Sequence, residues 1–194
     1  MTAETSPQSE ARERVLNAAY HLFLQNGLTD VSMQQIGDAA GITKATLYHH
    51  FRDKQDLYLA TMQLAITRNE RALTESLSGS TDLHSLVREI VGYIFGDTRA
   101  DLQRLATDFK LHVARETQAS FWSQYQRPWH LVETACASLD SIDQADVAFI
   151  SRYVYGAVSG LSQLHRFDEE SQPITDDMLD RLAESIVFGI SPDQ

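Results

Sequence analysis

Hydrophobic residues recur at intervals of three and four along nearly the whole chain, which is the spacing of one face of an α-helix. No convincing stretch alternates apolar and polar residues as a half-buried β-strand does. The pattern is interrupted by glycine-containing breaks, at Asn26-Gly27, Gly41, Ser78-Gly79-Ser80 and Gly96. It therefore predicts an all-α protein of about nine helices.

The segment 32–51 has the pattern of two short helices joined by a tight turn. Ser32 is followed three residues later by Gln35, which is the capping-box pattern of a helix N-terminus. Thr43 is placed to cap the next helix, in which Leu47 faces inward. A second helix of this size fits the major groove of B-DNA. The segment is thus predicted to be a helix-turn-helix.

Residues 12–62 resemble the DNA-binding domain of the TetR family of regulators, most specifically at 47–57, Leu-Tyr-His-His-Phe-Arg-Asp-Lys-Gln-Asp-Leu. The resemblance implies a ligand-responsive transcriptional repressor that binds a palindromic, double-stranded DNA operator as a homodimer. It also implies a DNA-binding domain at 9–69, whose three helices include the helix-turn-helix at 32–51. The remaining residues, 70–194, would form a helical effector-binding and dimerisation domain.

The same resemblance implies which side chains contact DNA. They are Ser32, Thr43, Lys44, Ala45, Thr46, Tyr48, His49, His50 and Lys54. Many relatives have glycine in place of Ala45, whose methyl group can touch a thymine methyl. Ser32 and Thr43 are also suited to capping alone, and His50 can equally be half-buried packing beside Phe51.

The net charge of −11 argues at first against a nucleic-acid partner. Residues 1–60 contain five Lys/Arg and seven Asp/Glu, whereas residues 61–194 contain eleven and twenty. Most of the negative excess therefore lies outside the N-terminal part. We predict a small basic face that contacts few phosphates, and hence a shallow dependence of binding on salt.

The middle of the chain is rich in aromatic residues. Pro128 is expected to kink the helix that carries several of them, and His112 with Asp108 adds polar groups near an apolar face. We predict a small hydrophobic or aromatic effector in this region, although such residues also form ordinary core. The candidate effector-binding residues are Phe95, Asp108, Phe109, His112, Trp122, Tyr125 and Trp129.

Two glycines, Gly156 and Gly160, lie one turn apart on the same face of a predicted helix. Their spacing indicates close approach by another helix, either from the same chain or from a twofold-related copy. The family position favours the second copy. The residues expected at the dimer interface are Gly156, Gly160, Leu164, Met178, Leu182 and Ile186.

Other classes of protein find less support in the sequence. The motifs of zinc proteases, serine hydrolases and phosphate-binding loops are absent, so we expect no enzyme, no catalytic residue, no cofactor and no metal. No apolar run approaches the roughly 20 residues of a membrane span. The polar segment from Met1 to Glu10 and the single cysteine, Cys136, indicate a cytoplasmic protein. The alternative function is a helical adaptor that binds protein through a non-functional helix-turn-helix, which the acidic composition favours.

Overall fold

The computed structural model describes residues 7–123, 129–167 and 175–190, and these form helices and their connections, with no strand among them. The all-α prediction is confirmed. The described helices are α1 (Pro7–Asp30), α2 (Met33–Ala40), α3 (Lys44–His50), α4 (Lys54–Leu77), α5 (Leu83–Phe95), α6 (Asp97–His112), α7 (Arg115–Trp122), α8 (Trp129–Ala137), α9 (Val147–Phe167) and α10 (Asp176–Ile190). Helices α7 and α8 occupy the segment in which we expected a helix kinked or broken at Pro128, and Pro128 and Tyr125 lie outside the described residues.

The described residues divide into two compact units. The N-terminal unit contains residues 7–68 and 101–123, and the C-terminal unit contains residues 69–100, 129–167 and 175–190. The sequence analysis assigned 101–123, which includes most of α6 and all of α7, to the C-terminal domain. The structure groups this segment with the N-terminal helices instead.

Long-range contacts explain this grouping. Phe23 of α1 and Tyr58 of α4 meet edge to face, with ring centres 4.9 Å apart. The Tyr58 hydroxyl donates a hydrogen bond of 2.7 Å to the carbonyl oxygen of Leu105, and burial raises the pKa of Tyr58. Phe109, one turn further along α6, is completely buried. Apolar contact and satisfied polar groups therefore fix α6 in the core of the N-terminal unit.

Gly27 bends α1 near its C-terminal end. Its φ of 78° lies in the left-handed region, which glycine adopts without steric cost. The Asp108 carboxylate of α6 accepts a hydrogen bond of 2.8 Å from the next backbone amide, that of Leu28. A Cβ atom at position 27 would lie 3.1 Å from this carboxylate, so glycine also leaves room for it.

The C-terminal unit is organised around α5, which packs against α8, α9 and α10. Its buried face includes Leu86, Ile90 and Ile94, which are at most 1% exposed. Arg88 on the same helix forms ion pairs with Asp176, at 3.2 Å, and with Asp180 of α10. None of the described helices is both long and apolar enough to cross a membrane.

Candidate nucleic-acid interface

The helix-turn-helix is defined by caps that the sequence predicts. Ser32 and Gln35 form the capping box, with the Gln35 amide 3.2 Å from the Ser32 hydroxyl and the Ser32 amide 2.8 Å from Gln35 Oε1. Gly41 ends α2 with a φ of 65°. Thr43 caps α3 by accepting a hydrogen bond of 3.2 Å from the Thr46 amide. Local hydrogen bonds thus set both ends of the turn between the helices.

One buried position where α2 and α3 pack together was not selected from the sequence. Gly37 is buried, and a Cβ atom there would lie 3.6 Å from both the Ile42 carbonyl oxygen and Leu47 Cδ2. Ile36 and Leu47 beside it are at most 1% exposed. The signal for Gly37 was present in the sequence as a glycine within a short helix, which often marks close packing.

The outer face of α3 contains the side chains expected to contact DNA. Because Leu47 faces the core, Ala45 and His49 point in the opposite direction, and both are exposed. Lys44 and Tyr48 lie one turn apart on one flank, with Lys44 Nζ 5.9 Å from the centre of the Tyr48 ring. Thr46 and His50 on the other flank are half-buried, so the packing interpretation of His50 holds at least in part.

A groove of about 460 Å³ runs between the start of α2 and the exposed flank of α3. It brings together four of the predicted residues with several that the sequence analysis missed. Its lining residues are Thr29, Asp30, Val31, Ser32, Met33, Gln34, Lys44, Tyr48 and Lys54. The missed residues belong to the turn before α2 and to its first turn, where no sequence motif distinguishes them.

Lys54 lines this groove and also holds the turn before α2. Its ammonium group donates hydrogen bonds of 3.1 and 3.0 Å to the carbonyl oxygens of Thr29 and Val31. An ammonium group has three donors, so one remains for a phosphate. Lys54 therefore both fixes the turn before α2 and brings positive charge to it.

Most of the neighbouring carboxylates are engaged in local bonds. Asp53 accepts a hydrogen bond from the Asp56 amide at 2.8 Å, and Asp56 accepts one from the Arg52 amide at 3.0 Å. Asp38 accepts a hydrogen bond of 2.8 Å from the Gln34 side chain. Arg52, which was not among the side chains predicted to contact DNA, forms an ion pair of 3.6 Å with Asp56 while 86% of its side chain remains exposed. No group of His, Cys, Asp or Glu side chains suited to a metal ion occurs among residues 7–123, 129–167 and 175–190.

Comparison with known proteins identifies this arrangement. Residues 15–61 match the family model described as bacterial regulatory proteins, tetR family. We refer to residues 15–61 as the TetR-family domain because of this similarity. The transcriptional activator FasR of Mycolicibacterium smegmatis is 31% identical over 114 residues, covering 59% of this chain and 52% of FasR. The transcriptional repressor KstR2 of Rhodococcus jostii is 35% identical over 105 residues, covering 54% of this chain and 44% of KstR2.

The likeness in fold extends beyond the TetR-family domain. A crystal structure of a TetR-family regulator from Mesorhizobium loti aligns with a TM-score of 0.76 over 95% of this chain and 96% of that one. The two sequences are 20% identical, so this alignment shows a shared fold. The chain spans about half the length of the curated relatives that it matches. Outside the roughly half of the chain that aligns with these relatives, the shared feature is therefore the fold.

The expected effector-binding residues divide between the two units. Phe95 and Trp129 pack against the core of the C-terminal unit, whereas Asp108, Phe109, His112 and Trp122 belong to the N-terminal unit. Phe109 is completely buried and has Phe121 and Trp122 as ring neighbours at 5.1 and 5.8 Å. Asp108 is occupied at the end of α1, and His112 is exposed.

The residues expected at a dimer interface are mostly on the surface. Gly156, Gly160 and Leu164 lie on an exposed face of α9, and 37% of Met178 in α10 is exposed. Within the described residues, nothing lies within 4 Å of a Cβ atom placed on either glycine, so no described helix of the same chain packs closely against them. Ile186 is 6% exposed and belongs to the core of the C-terminal unit. Leu182 packs partly against the same core.

Proposed function

We propose that this protein is a DNA-binding transcriptional regulator that binds a palindromic operator as a homodimer and releases or tightens its hold when a small ligand binds. The observation that carries the proposal is the exposed outer face of α3, with Lys44 and Tyr48 bordering the groove next to Ser32 and Lys54. A helix presented in this way can enter the major groove and bring its side chains to base edges. Repression is the regulatory sense that the family resemblance favours.

Each side chain on this face has a distinct task in the proposal. Ala45 and His49, which point directly away from the core, would face the base edges. Lys44, Tyr48 and Lys54 line the groove and would bind phosphates on one side of the helix. Ser32 and Thr43 are committed to capping, so their hydroxyl groups would contact DNA only while also serving the helix ends.

The proposed homodimer uses an exposed face of α9. Phe149, Tyr153, Gly156, Gly160 and Leu164 recur at intervals of three and four, and all five are exposed. Phe149 is 67% exposed and Leu164 is 69% exposed, which is unusual for apolar side chains on one helical stripe. The two glycines between them would let the same helix of a second copy approach closely. A twofold interface would then pair each stripe with itself.

The first experiment is selection of bound fragments from random-sequence DNA by the purified protein. We expect enrichment of a palindrome whose half-sites are separated by about one helical turn, because two copies of α3 would occupy successive major grooves. Fragments recovered by the Lys44→Ala/Tyr48→Ala variant serve as the control. A folded dimer that enriches no DNA would favour the adaptor alternative instead.

The salt dependence of operator binding provides a second test. Residues 32–54 contain three cations in each protomer, Lys44, Arg52 and Lys54, which gives six for the dimer. The slope of log K against log salt is then expected to be no steeper than about −5. Titration of the selected operator at several salt concentrations measures it.

Arg52→Gln gives the matched control for that slope. It removes one exposed cation per protomer, so the slope should become shallower by about 2 for the dimer. A wild-type slope near −9, which corresponds to about ten neutralised phosphates, would contradict the small basic face.

A further inference from the structure

A cluster of polar groups lies in the C-terminal unit without internal hydrogen bonds. Six buried side-chain atoms have no hydrogen-bond partner within the part of the chain that the structure describes, and five of them, all but Ser80 Oγ, form this cluster. The five are Asn69 Oδ1, Tyr93 Oη, Arg99 Nε, Tyr155 Oη and Ser159 Oγ. Asn69, Tyr93 and Tyr155 are each more than nine-tenths buried, with exposed fractions of 1%, 8% and 8%. We refer to these five residues as the Arg99 cluster.

The members of the Arg99 cluster are close enough to influence one another. Burial raises the pKa of both Tyr93 and Tyr155, and the nearby Arg99 guanidinium partly opposes the rise in each. The Asn69 side chain lowers the pKa of Tyr93, and the Ser159 side chain lowers that of Tyr155, although neither pair forms a hydrogen bond of ordinary geometry. The five residues, which come from α4, α5, α6 and α9, therefore face a common site.

An unpartnered arrangement of this kind is costly in a folded protein. Each buried polar group without a hydrogen bond destabilises the fold by about 1–3 kcal/mol, so native proteins contain few of them. A single buried water makes only about two to four hydrogen bonds and cannot neutralise a guanidinium group. The cost is recovered when a ligand binds that satisfies these groups.

The chemistry of the Arg99 cluster selects the ligand. Both tyrosines remain protonated at neutral pH, so their hydroxyl groups can donate, as can the Arg99 guanidinium and the Ser159 hydroxyl group. Donors around one guanidinium match a carboxylate, which accepts two hydrogen bonds in parallel from arginine. Glu70 lies near enough to raise the pKa of Tyr93 slightly. Its negative charge disfavours a doubly charged anion such as phosphate.

The surroundings specify the rest of the ligand. Tyr93 and Tyr155 belong to a buried apolar cluster that also includes Leu73, Ile94 and Val158. Ligand atoms beyond the carboxylate would therefore lie among aliphatic side chains, where apolar groups are favoured. We propose that the Arg99 cluster binds the carboxylate of a small monocarboxylic acid with an apolar body, and that this acid is the effector of the regulator proposed above.

The test uses matched compounds that differ only in the polar group. The carboxylates are octanoate and 4-phenylbutyrate, and each is paired with the alcohol and the amine of the same carbon skeleton. Binding to the full-length protein without DNA is measured by calorimetry and by the shift in melting temperature. We expect binding of a carboxylate but not of its alcohol or amine.

Variants connect this binding to the cluster. Arg99→Gln should weaken carboxylate binding at least tenfold, whereas Arg71→Gln, which removes an exposed arginine of α4 in the same unit, should leave it unchanged. The Tyr93→Phe/Tyr155→Phe variant should also weaken binding about tenfold without lowering the melting temperature of the ligand-free protein, because it removes only unpartnered hydroxyl groups.

Three outcomes would overturn the proposal. Neither carboxylate binds, Arg99→Gln binds a carboxylate as well as the wild type does, or the amines bind better than the carboxylates, which would indicate a cation site at Glu70. The bound carboxylate should also shift affinity for the selected operator at least fivefold in the wild type but not in Arg99→Gln. The calorimetry and melting experiments contain no DNA, so a failure to bind the carboxylate is observed separately from a failure to bind the operator.

Discussion

Replacing Lys44 and Tyr48 together by alanine is expected to weaken operator binding by at least about 100-fold while leaving the fold intact. Both side chains border the groove on the exposed flank of α3, and both occur twice in a dimer. Each lost contact costs about 1–3 kcal/mol in specific protein–DNA complexes, so even the lower value gives about 4 kcal/mol for four sites. The measurement is a fluorescence-anisotropy titration of the selected operator.

The fold should survive this double substitution. Lys44 and Tyr48 are exposed, and surface substitutions of this kind usually change stability by no more than about 0.5 kcal/mol. Lys110→Ala, which removes an exposed lysine from α6, is the charge-matched control and should retain nearly full affinity. Operator affinity within threefold of the wild type in the double variant would show that α3 does not read the DNA.

Gly160→Leu is expected to convert the dimer into a folded monomer. Within the described residues, nothing lies within 4 Å of a Cβ atom at this position, so the leucine side chain meets no obstacle inside one protomer. Leucine also favours the helix over glycine by up to about 1 kcal/mol, which should stabilise the monomer slightly. In the proposed interface, the same side chain would separate two helices that approach through their glycines.

Sedimentation equilibrium over a wide range of concentrations measures the dissociation constant of the dimer, which should rise at least 100-fold. Gly79→Leu provides the matched control, since a Cβ atom there is also unobstructed but lies in the connection before α5. Loss of the dimer should weaken operator binding as well, because one copy of α3 contacts only one half-site. A Gly160→Leu protein that remains a dimer at all concentrations would place the interface on another surface.

The features that the sequence predicts well are local. Ser32 with Gln35, Gly41 and Thr43 define the ends of α2 and α3 through hydrogen bonds within a few residues. Such bonds depend on residue type and spacing, which a sequence displays directly. The exposed flank of α3 follows from the inward position of Leu47. The helix-turn-helix was therefore predictable in detail.

The features that were missed depend on contacts between distant segments. The hydrogen bond from Tyr20 to Asp101 joins residues 81 positions apart, and no periodicity in the sequence indicates it. The same holds for Asp108, which looked like part of a polar patch beside His112 but accepts a hydrogen bond from the Leu28 amide at the bend in α1. Aromatic residues at helical spacing could belong to either unit, so the predicted effector site combined residues that belong to different units.

The Arg99 cluster was not predictable for a related reason. Tyr93 and Tyr155 each lie within an apolar helical stripe and look like ordinary core positions. Arg99 stands near the start of α6, where an arginine has no distinguishing motif. Only the folded arrangement shows that their polar atoms share one site and lack partners.

The position of Asp108 has a consequence for modular engineering. A hybrid regulator that joined residues 1–68 to a foreign sensor would lack the carboxylate that binds the Leu28 amide. It would also lack Phe109 and the Leu105 carbonyl group that accepts the Tyr58 hydrogen bond. The transferred N-terminal helices would therefore lack part of their hydrophobic core. The N-terminal unit is discontinuous in sequence, so a working chimera needs residues 101–123 as well as the N-terminal helices.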